Sequence, residues 1–348
     1  MNVTLASTRC ALCGDVATDP VVVAPDPTGV VPGAFRVVRC RSCSGWRLDP
    51  APVKDEIARL YPPDYEAHIR PITTNLAVIP GPTHRLRRRF ADWCAAGRPS
   101  VWRMIADRAW DVLMARVFSH TTWGRYNLLA FWGDGRRLLD VGCGSGELLS
   151  EYHALGWSAF GIEPAGAAAA RAIDSGLRVV TGRFSDDAHL LADHAPFSVI
   201  VMANVIEHLP DPGAALDAAW RLLEDGGRLL LWAPVCDGWQ QRLWPAHWYN
   251  LDPPRHLHIP SRFGLRSLLR QHGFEVHAER PATSVRAVQR SAARYAASRG
   301  HVRLAARIES STMLRRLLNV PLRLADAFDL GDVVTILAAK SARPGHPA

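Results

Sequence analysis

Short apolar runs separated by amphipathic stretches are the main pattern of residues 134–282. The runs predict strands at 138–141, 157–163, 177–181, 197–203 and 228–232, and helical patterns begin at 147 and 213. A further apolar run predicts a last strand at 332–338. Strands that alternate with helices favour an α/β fold built on a parallel sheet.

A glycine-rich turn follows the first of these strands. After Asp140 and Val141, glycines occupy alternate positions at Gly142, Gly144 and Gly146, and a helical pattern begins at once. Glycines let a ligand approach the main chain with no Cβ in the way. A helix start at such a turn is expected to leave backbone N–H groups facing an anionic ligand group. The spacing is tighter than the G-x-G-x-x-G of a dinucleotide site.

The turn, with an acid two residues ahead of its first glycine, resembles motif I of class I S-adenosylmethionine (SAM)-dependent methyltransferases. The segment N-V-I-E-H-L-P-D-P at 204–212 resembles the signature of their ubiquinone-biosynthesis-like branch. Ser198 departs from that branch, which usually has Asp there. The resemblance covers 134–282 and 331–341, and it implies a Rossmann-like seven-stranded fold that binds SAM and transfers its methyl group.

The same resemblance assigns cofactor-binding residues beyond Asp140 and the three glycines. Glu163 ends the second strand 23 residues after Asp140, near the spacing at which a βαβ unit presents a carboxylate to ribose hydroxyls. Phe184 follows the third strand, where the family usually contacts adenine, and Asn204 follows the fourth.

Four of the seven cysteines form two C-x-x-C pairs, which are Cys10 with Cys13 and Cys40 with Cys43. Two such turns can complete a tetrahedral thiolate site, so the spacing predicts a structural zinc ion with no open coordination position. The segment between the pairs suits the β-hairpin of a zinc ribbon. Disulfides or free thiols are the alternatives, and a reducing compartment disfavours the former. Because a ribbon this small has little core, loss of the metal is expected to unfold it.

A Tyr-Pro-x-Asp-Tyr element at 61–65 follows the ribbon. Its order before the SAM domain resembles methyltransferases that accompany surface-polysaccharide and other glycan biosynthesis enzymes. We therefore expect five parts along the chain. They are a zinc ribbon at 1–50, a helical linker or cap at 51–133, a SAM-binding Rossmann-like domain at 134–283, a helical insertion at 284–330, and the last strand with a tail at 331–348.

Two helical segments are rich in arginine. Segment 84–132 combines a basic cluster with a broad apolar stripe, which predicts either a packed cap helix or a helix lying on an anionic bilayer. Segment 284–316 carries arginines at four-residue steps, which are Arg286, Arg290 and Arg294, then Arg299, Arg303 and Arg307. Such a stripe either binds diphosphates bidentately or forms a solvated face paired with acids such as Glu309.

Segment 239–261 carries the candidate acid–base residues. Its residues 248–257 resemble the W-x-x-L-D-x-P-R-H-L element of the glycan-associated branch. His256 is the first candidate for general base and His258 the second, with Asp252 orienting a ring. Alternatively these residues only brace the loop, and His208 is expected to serve the fold or the SAM pocket. The aromatic residues suit stacking on a sugar or core packing, and they are Trp239, Trp244, Trp248 and Tyr249.

The composition of the 348 residues, with 48% hydrophobic and 21% charged residues, is ordinary for a globular protein. A net charge of +8 favours an acidic partner, such as a phosphate-bearing acceptor or an anionic membrane surface. The sequence has no run of 18 apolar residues and no secretion-type N-terminus, so we expect a cytoplasmic protein, with contact to the inner face of the membrane as a further expectation.

The sequence as a whole favours a SAM-dependent methyltransferase that O-methylates a sugar or a lipid-linked glycan intermediate. C-methylation of a keto-sugar and methylation of a natural-product small molecule are close alternatives. An RNA methyltransferase is disfavoured because no Asn-Pro-Pro-Tyr-type motif follows the fourth strand and the arginines lack interleaved aromatics. A SAM-binding scaffold without catalysis is the non-enzymatic alternative. The oligomeric state stays open.

Overall fold

A computed structural model describes residues 3–61, 65, 137–154 and 156–341. Segment 84–132, with its expected basic cluster and apolar helix, therefore lies outside the described residues. The strands are β1 (Leu5–Ala6), β2 (Thr18–Pro25), β3 (Ala34–Cys40), β4 (Trp46–Leu48), β5 (Ala51–Pro52), β6 (Arg137–Val141), β7 (Ser158–Glu163), β8 (Arg178–Thr181), β9 (Phe197–Ala203), β10 (Leu223–Pro234), β11 (His258–Ile259), β12 (Phe274–Ala282) and β13 (Val333–Lys340).

The described α-helices are α1 (Glu147–Ala154), α2 (Gly166–Asp174), α3 (Phe184–Asp187), α4 (Pro212–Leu222), α5 (Gln240–Leu243), α6 (Arg262–Gln271), α7 (Val285–Ser298), α8 (Val302–Ser310) and α9 (Thr312–Ala327). Short 3-10 helices lie at Lys54–Leu60, Ala188–His194, Ile206–His208 and Tyr249–Leu251. The chain divides into two compact units, of which the first comprises 1–65, 202–220 and 231–348 and the second 66–201 and 221–230.

Seven strands form one sheet in the order β12-β13-β10-β9-β6-β7-β8. β6, β7 and β8 pair in parallel, with Asp140 opposite Gly161 and Glu163 opposite Thr181. β12 and β13 pair antiparallel. Four of the five residues of β6 are buried, as expected for a strand covered on both faces. This mixed, mostly parallel sheet is the Rossmann-like fold that the sequence predicts.

A second sheet, within the first unit, has the order β11-β4-β3-β2. β2 and β3 form the predicted ribbon hairpin, and β4 pairs with β3. Its fourth strand comes from far along the chain, because Trp46 pairs with Ile259 and Arg47 with His258. The ribbon sheet therefore includes part of the segment that carries the candidate acid–base residues.

One hydrophobic core joins the ribbon to that segment. Phe35, Val37 and Trp46 of the ribbon pack with Trp248 and Ile259. Trp248 is fully buried, and its ring lies edge-on to Trp46 with centroids 5.9 Å apart. The ribbon thus has a larger core than its own length provides, so we no longer expect metal loss alone to unfold it.

The insertion between β12 and β13 is helical, as predicted. Side-chain caps start its α7 and α9, where Ser284 accepts from the Ala287 N–H and Ser311 from the Leu314 N–H. Gln289 of α7 donates to the carbonyl oxygens of Ile308 and Ser311, which fixes the junction of α8 and α9. Among the described residues, no helix is long and apolar enough to cross a membrane.

Candidate active site

The three glycines after β6 all have left-handed backbone conformations. Their φ angles are 68° at Gly142, 56° at Gly144 and 91° at Gly146, a region that other residues rarely adopt. Gly146 also lacks space, because an added Cβ would lie 2.4 Å from Leu177 Cδ1. Both the backbone and the packing of this loop therefore require glycine.

The backbone N–H groups of this loop are largely used inside the protein. Gly142 and Cys143 donate to the Ile162 carbonyl oxygen, and Gly146 donates to Cys143. Gly144 N–H donates to Glu163 Oε2 over 2.8 Å. The expectation that these groups face an anionic ligand is wrong for these four, because the loop uses them to close onto β7 and onto itself.

Two buried carboxyl groups lie beside this loop. Asp140 and Glu163 are each 4% exposed, and the Ala165 N–H donates to Glu163 Oε1. Burial raises the pKa of Asp140, and the charge of Glu163 raises it further. Burial also raises the pKa of Glu163, against hydrogen bonds from Ala165 and Gly144. A ligand with positive groups and hydroxyl donors would offset the free-energy cost of burying these carboxylates in their charged form. SAM fits, because it brings a sulfonium, an ammonium and ribose hydroxyls.

The two remaining expected cofactor residues follow strands of the sheet. Phe184 is buried and opens α3 after β8. Asn204 follows β9 with φ 54°, and its N–H donates to the Trp232 carbonyl oxygen. Sequence reasoning did not identify Asp187, whose carboxylate accepts from the Arg183 N–H over 2.7 Å. The roles of Phe184 and Asn204 toward SAM stay predictions.

The four predicted metal ligands converge at the base of the ribbon hairpin. The ligand atoms of Cys10, Cys13, Cys40 and Cys43 all lie within 4.8 Å of one another. Two Sγ pairs are separated by 3.6 Å (Cys10 to Cys43) and 3.5 Å (Cys13 to Cys40), far longer than a disulfide bond. A tetrahedral Zn–S₄ centre has sulfur–sulfur edges of about 3.8 Å. The cysteine arrangement therefore fits zinc.

The second metal-binding turn also contacts the segment after β10. Ser261 donates to the Cys43 carbonyl oxygen, and the Cys236 thiol donates to the Ser44 carbonyl oxygen. An added Cβ at Gly264 would lie 3.2 Å from that same Cys43 oxygen. The metal-binding turn and the start of α6 are thus closely packed.

Arg255 connects the ribbon hairpin to segment 239–261, which carries the candidate acid–base residues, through a buried ion-pair network. Its side chain is fully buried and donates to Asp26 Oδ1 over 2.6 Å and to Asp252 Oδ1 over 2.9 Å. A third contact reaches the Leu60 carbonyl oxygen. Burial alone would raise the pKa of Asp26 and Asp252. The Arg255 hydrogen bond, together with bonds from Thr28 and Val31 to Asp26 and with nearby positive charge at Asp252, lowers the pKa of both.

A cluster of three groups, which we call the Glu–His cluster, consists of Glu207, His208 and His256. One potential ligand atom from each lies within 4.8 Å of the other two, and the two imidazole rings are 4.6 Å apart in an edge-on arrangement. Glu207 is fully buried, and within the part of the chain that the structure describes neither carboxyl oxygen has a hydrogen-bond partner. Sequence reasoning assigned His208 elsewhere and did not single out Glu207, because no local pattern shows that residues 207 and 256 meet.

Both imidazoles are oriented through Nδ1. His256 Nδ1 lies 2.6 Å from the Asn250 carbonyl oxygen, and His208 Nδ1 lies 3.1 Å from that of Arg255 and 3.0 Å from the Tyr61 hydroxyl. A carbonyl only accepts, so Nδ1 carries the proton and Nε2 keeps a lone pair. The expected orienting role of Asp252 thus falls to Asn250, because the Asp252 carboxylate is bound to Arg255.

His258, the second candidate base, is placed differently. It lies in β11, is 3% exposed, and its Nε2 lies 2.8 Å from the Ile206 carbonyl oxygen. Burial lowers its pKa to about 4. The geometry is that of a structural residue, which is the bracing alternative for this position.

Burial keeps the histidines of the Glu–His cluster neutral near pH 7. It lowers the pKa of His208 to about 3 and also lowers that of His256. Burial raises the pKa of Glu207 to about 8. At neutral pH the cluster therefore offers two lone-pair nitrogens and a carboxyl group that still carries its proton.

Stability is expected to fall as pH rises from 6.5 to above 8, and the E207Q variant should remove this fall. The folded pKa of Glu207 is about 8 and its unfolded value 4.5, so the native state binds the extra proton between these values. The slope from this group reaches about 1.4 kcal/mol per pH unit. Urea unfolding at pH 6.5 and 8.5 measures this change in the free energy of unfolding. His208 does not contribute to it, because its pKa lies below this range. An equal slope in wild type and variant would contradict the assignment, and E275Q, which changes an exposed glutamate, serves as the control.

The arginine stripe and the aromatic residues prove to be partly structural. Arg290 and Arg294 each place their guanidinium carbon 4.9 Å from the centre of the Tyr249 ring. Arg290 also pairs with Glu309. These two arginines are therefore engaged within the protein, and Trp248 is buried. The rings of Trp239 and Trp244 remain half-buried as a tilted pair with centroids 5.9 Å apart.

Comparison with known proteins supports the family assignment. Residues 124–279 match a family model described as a methyltransferase domain. This range contains the glycine loop, both buried carboxylates and the Glu–His cluster. This part of the chain therefore resembles a methyltransferase domain.

Several curated relatives of this domain are ubiquinone biosynthesis O-methyltransferases. The protein from Xylella fastidiosa is 42% identical over 103 residues, which are 28% of this chain and 41% of that protein. The protein from Pseudomonas putida KT2440 is 35% identical over 102 residues, or 27% of this chain and 43% of that protein. A solved SAM-dependent methyltransferase from Archaeoglobus fulgidus is 15% identical, with a TM-score of 0.42. The alignment covers 69% of this chain and 100% of that protein. The chain thus spans less than half the length of the curated relatives that it matches.

Proposed function

We propose that this chain is an O-methyltransferase that transfers the methyl group of SAM to a hydroxyl of a sugar or a lipid-linked glycan intermediate. The Glu–His cluster carries the proposal, because its two neutral imidazoles keep lone pairs that can accept a hydroxyl proton. The curated relatives are O-methyltransferases of ubiquinone biosynthesis, which supports oxygen as the attacked atom. The half-buried pair of Trp239 and Trp244 supports a sugar ring as the acceptor.

Bound SAM would supply the methyl group from a sulfonium whose sulfur would become a neutral thioether. Asp140, the glycine loop, Glu163, Phe184 and Asn204 would hold the cofactor. His256 accepts the acceptor's hydroxyl proton on Nε2 while the oxygen forms the new C–O bond. His208 accepts a second hydrogen bond and helps to orient the acceptor, and positioning supplies much of the rate.

Zinc is proposed as a structural ion held by Cys10, Cys13, Cys40 and Cys43. With all four positions filled by thiolates, it has no site for substrate. Reduced thiols also favour a cytoplasmic location.

Loss of the metal is expected to disturb the loop after β10 more than the seven-stranded sheet. The C40S variant should lose its zinc, and amide hydrogen exchange should become faster at 255–264, because this segment contacts the Cys43 turn. C236S removes one thiol that is not a ligand, so it should keep one zinc per chain by elemental analysis. Full zinc content in C40S, or unchanged exchange at 255–264, would contradict this prediction.

The function is tested by methyl transfer from labelled SAM into separated fractions of the source cell. We expect label in the nucleotide-sugar or lipid-linked glycan fraction, as an O-methyl group. G146V should lose both SAM binding and transfer, because the added side chain meets Leu177, whereas H256Q should lose transfer and keep SAM binding. Label on carbon would support the keto-sugar alternative, and label in RNA would overturn the substrate class. SAM binding without transfer to any fraction would leave the scaffold alternative.

A further inference from the structure

Large apolar side chains are exposed along one part of the helical insertion. Met313 is 70% exposed and Leu317 62%, and they lie on the same face of α9 because they are four residues apart. Val302 and Leu304 of α8 are exposed by 67% and 50%. Phe328, just after α9, is 76% exposed. We call these five residues and the arginines among them the α8–α9 surface. Several large apolar side chains exposed within one segment of the chain indicate an interaction site.

The same surface carries a strong positive charge. Residues 299–317 contain five arginines and a single acid, Glu309, which pairs with Arg290 of α7. Arg303, Arg307 and Arg316 are exposed beside the apolar side chains. Arginine stems can lie along apolar surface while their guanidinium groups reach outward. Apolar residues interleaved with arginines are typical of helices that lie in the interface of an anionic bilayer.

Contacts with α7 fix the position of the α8–α9 surface. Gln289 bonds the Ile308 and Ser311 carbonyl oxygens, and Arg315 donates to Gln289 Oε1 over 2.9 Å. Behind α8, Ala293, Ala296 and Ala305 form a small core with Ile308. The exposed apolar side chains therefore lie on a packed support.

We propose that the α8–α9 surface binds the face of a bilayer that contains acidic phospholipids. A second copy of the chain fits it less well, because a twofold interface would place the same arginines opposite one another. The bilayer supplies both an apolar layer for Met313 and Leu317 and phosphate groups for the arginines. Such contact would bring the chain to acceptors that reside in membranes, but the binding itself does not depend on the proposed methyl transfer.

The test is co-sedimentation of the full chain with vesicles of phosphatidylcholine alone or with phosphatidylglycerol added. We expect at least tenfold stronger partitioning into the anionic vesicles, weakening with salt. Each arginine near the surface contributes about fivefold, so R303Q/R307Q should lower partitioning roughly 25-fold. M313S/L317S should also abolish most binding. The matched controls are R221Q/R270Q and I173S/L190S, which change exposed residues outside the α8–α9 surface.

Circular dichroism and SAM binding establish that the variants are folded, which separates lost binding from lost structure. Equal partitioning into both vesicle types, or unchanged partitioning of M313S/L317S, would overturn the proposal. So would a dimer in solution that L317S dissociates, because the surface would then bind a second copy. Failure to detect methyl transfer from labelled SAM would leave these vesicle-binding results unaffected.

Discussion

Replacing Arg255 by methionine is expected to lower the free energy of unfolding by about 3–5 kcal/mol. The guanidinium is fully buried between Asp26 and Asp252, and it also donates to the Leu60 carbonyl oxygen. Methionine fills much of the volume but leaves two buried carboxylates without a counter-charge. Urea unfolding at pH 7, followed by tryptophan fluorescence, measures the change.

The matched control is R266M, which breaks an ion pair with Glu279 in which the arginine side chain is 47% exposed. Such surface pairs contribute about 0–1 kcal/mol, so the two variants should differ severalfold. Adding D26L to R255M removes one of the unpaired charges and should recover part of the loss. A cost below about 1 kcal/mol for R255M would mean that water reaches this network in solution.

The Arg255 network also shows what the sequence could not provide. The Pro-Arg-His element was recognised, but Asp26 lies 229 residues away from its partner Arg255. The two-residue strand β11 could not be predicted from the sequence either, because two residues are too few to show an alternating pattern. Its partner strand β4 lies far away along the chain, in the ribbon. Contacts of this kind follow from topology, and no local sequence signal encodes them.

Local periodicity did predict the sheet and the ribbon. Each strand from β6 to β9 combines a short apolar run with a turn signal, so its position and type follow from the chain itself. The C-x-x-C spacing similarly predicted four converging thiols. The glycine spacing correctly predicts a loop whose φ angles require glycine, but it does not predict that the loop N–H groups bond within the protein. A pattern of residue types shows which N–H groups exist and not which acceptors they find inside the protein.

The largest kinetic effect is expected from H256Q, which should lower the rate of methyl transfer by about 100- to 10,000-fold. Its Nδ1 is fixed by the Asn250 carbonyl oxygen, so Nε2 is the atom that takes the hydroxyl proton. Glutamine places a polar amide near the position of Nε2, and this amide is not basic at neutral pH. Single-turnover transfer of labelled methyl to the glycan fraction measures the rate, and equilibrium dialysis measures SAM affinity, which should not change.

Variants of the neighbouring residues show whether His256 acts as a general base or only stabilises the loop. Y61F removes a hydroxyl 3.0 Å from His208 Nδ1 and should cost far less than H256Q, because the Arg255 carbonyl oxygen still orients that ring. H258N should lower stability more than the rate, since His258 is buried within β11. If H256Q unfolds at lower urea while its folded fraction keeps the wild-type rate, His256 braces the loop. A slower rate at unchanged stability and SAM affinity assigns the proton to His256, because a residue that only supports the fold would not alter the rate alone.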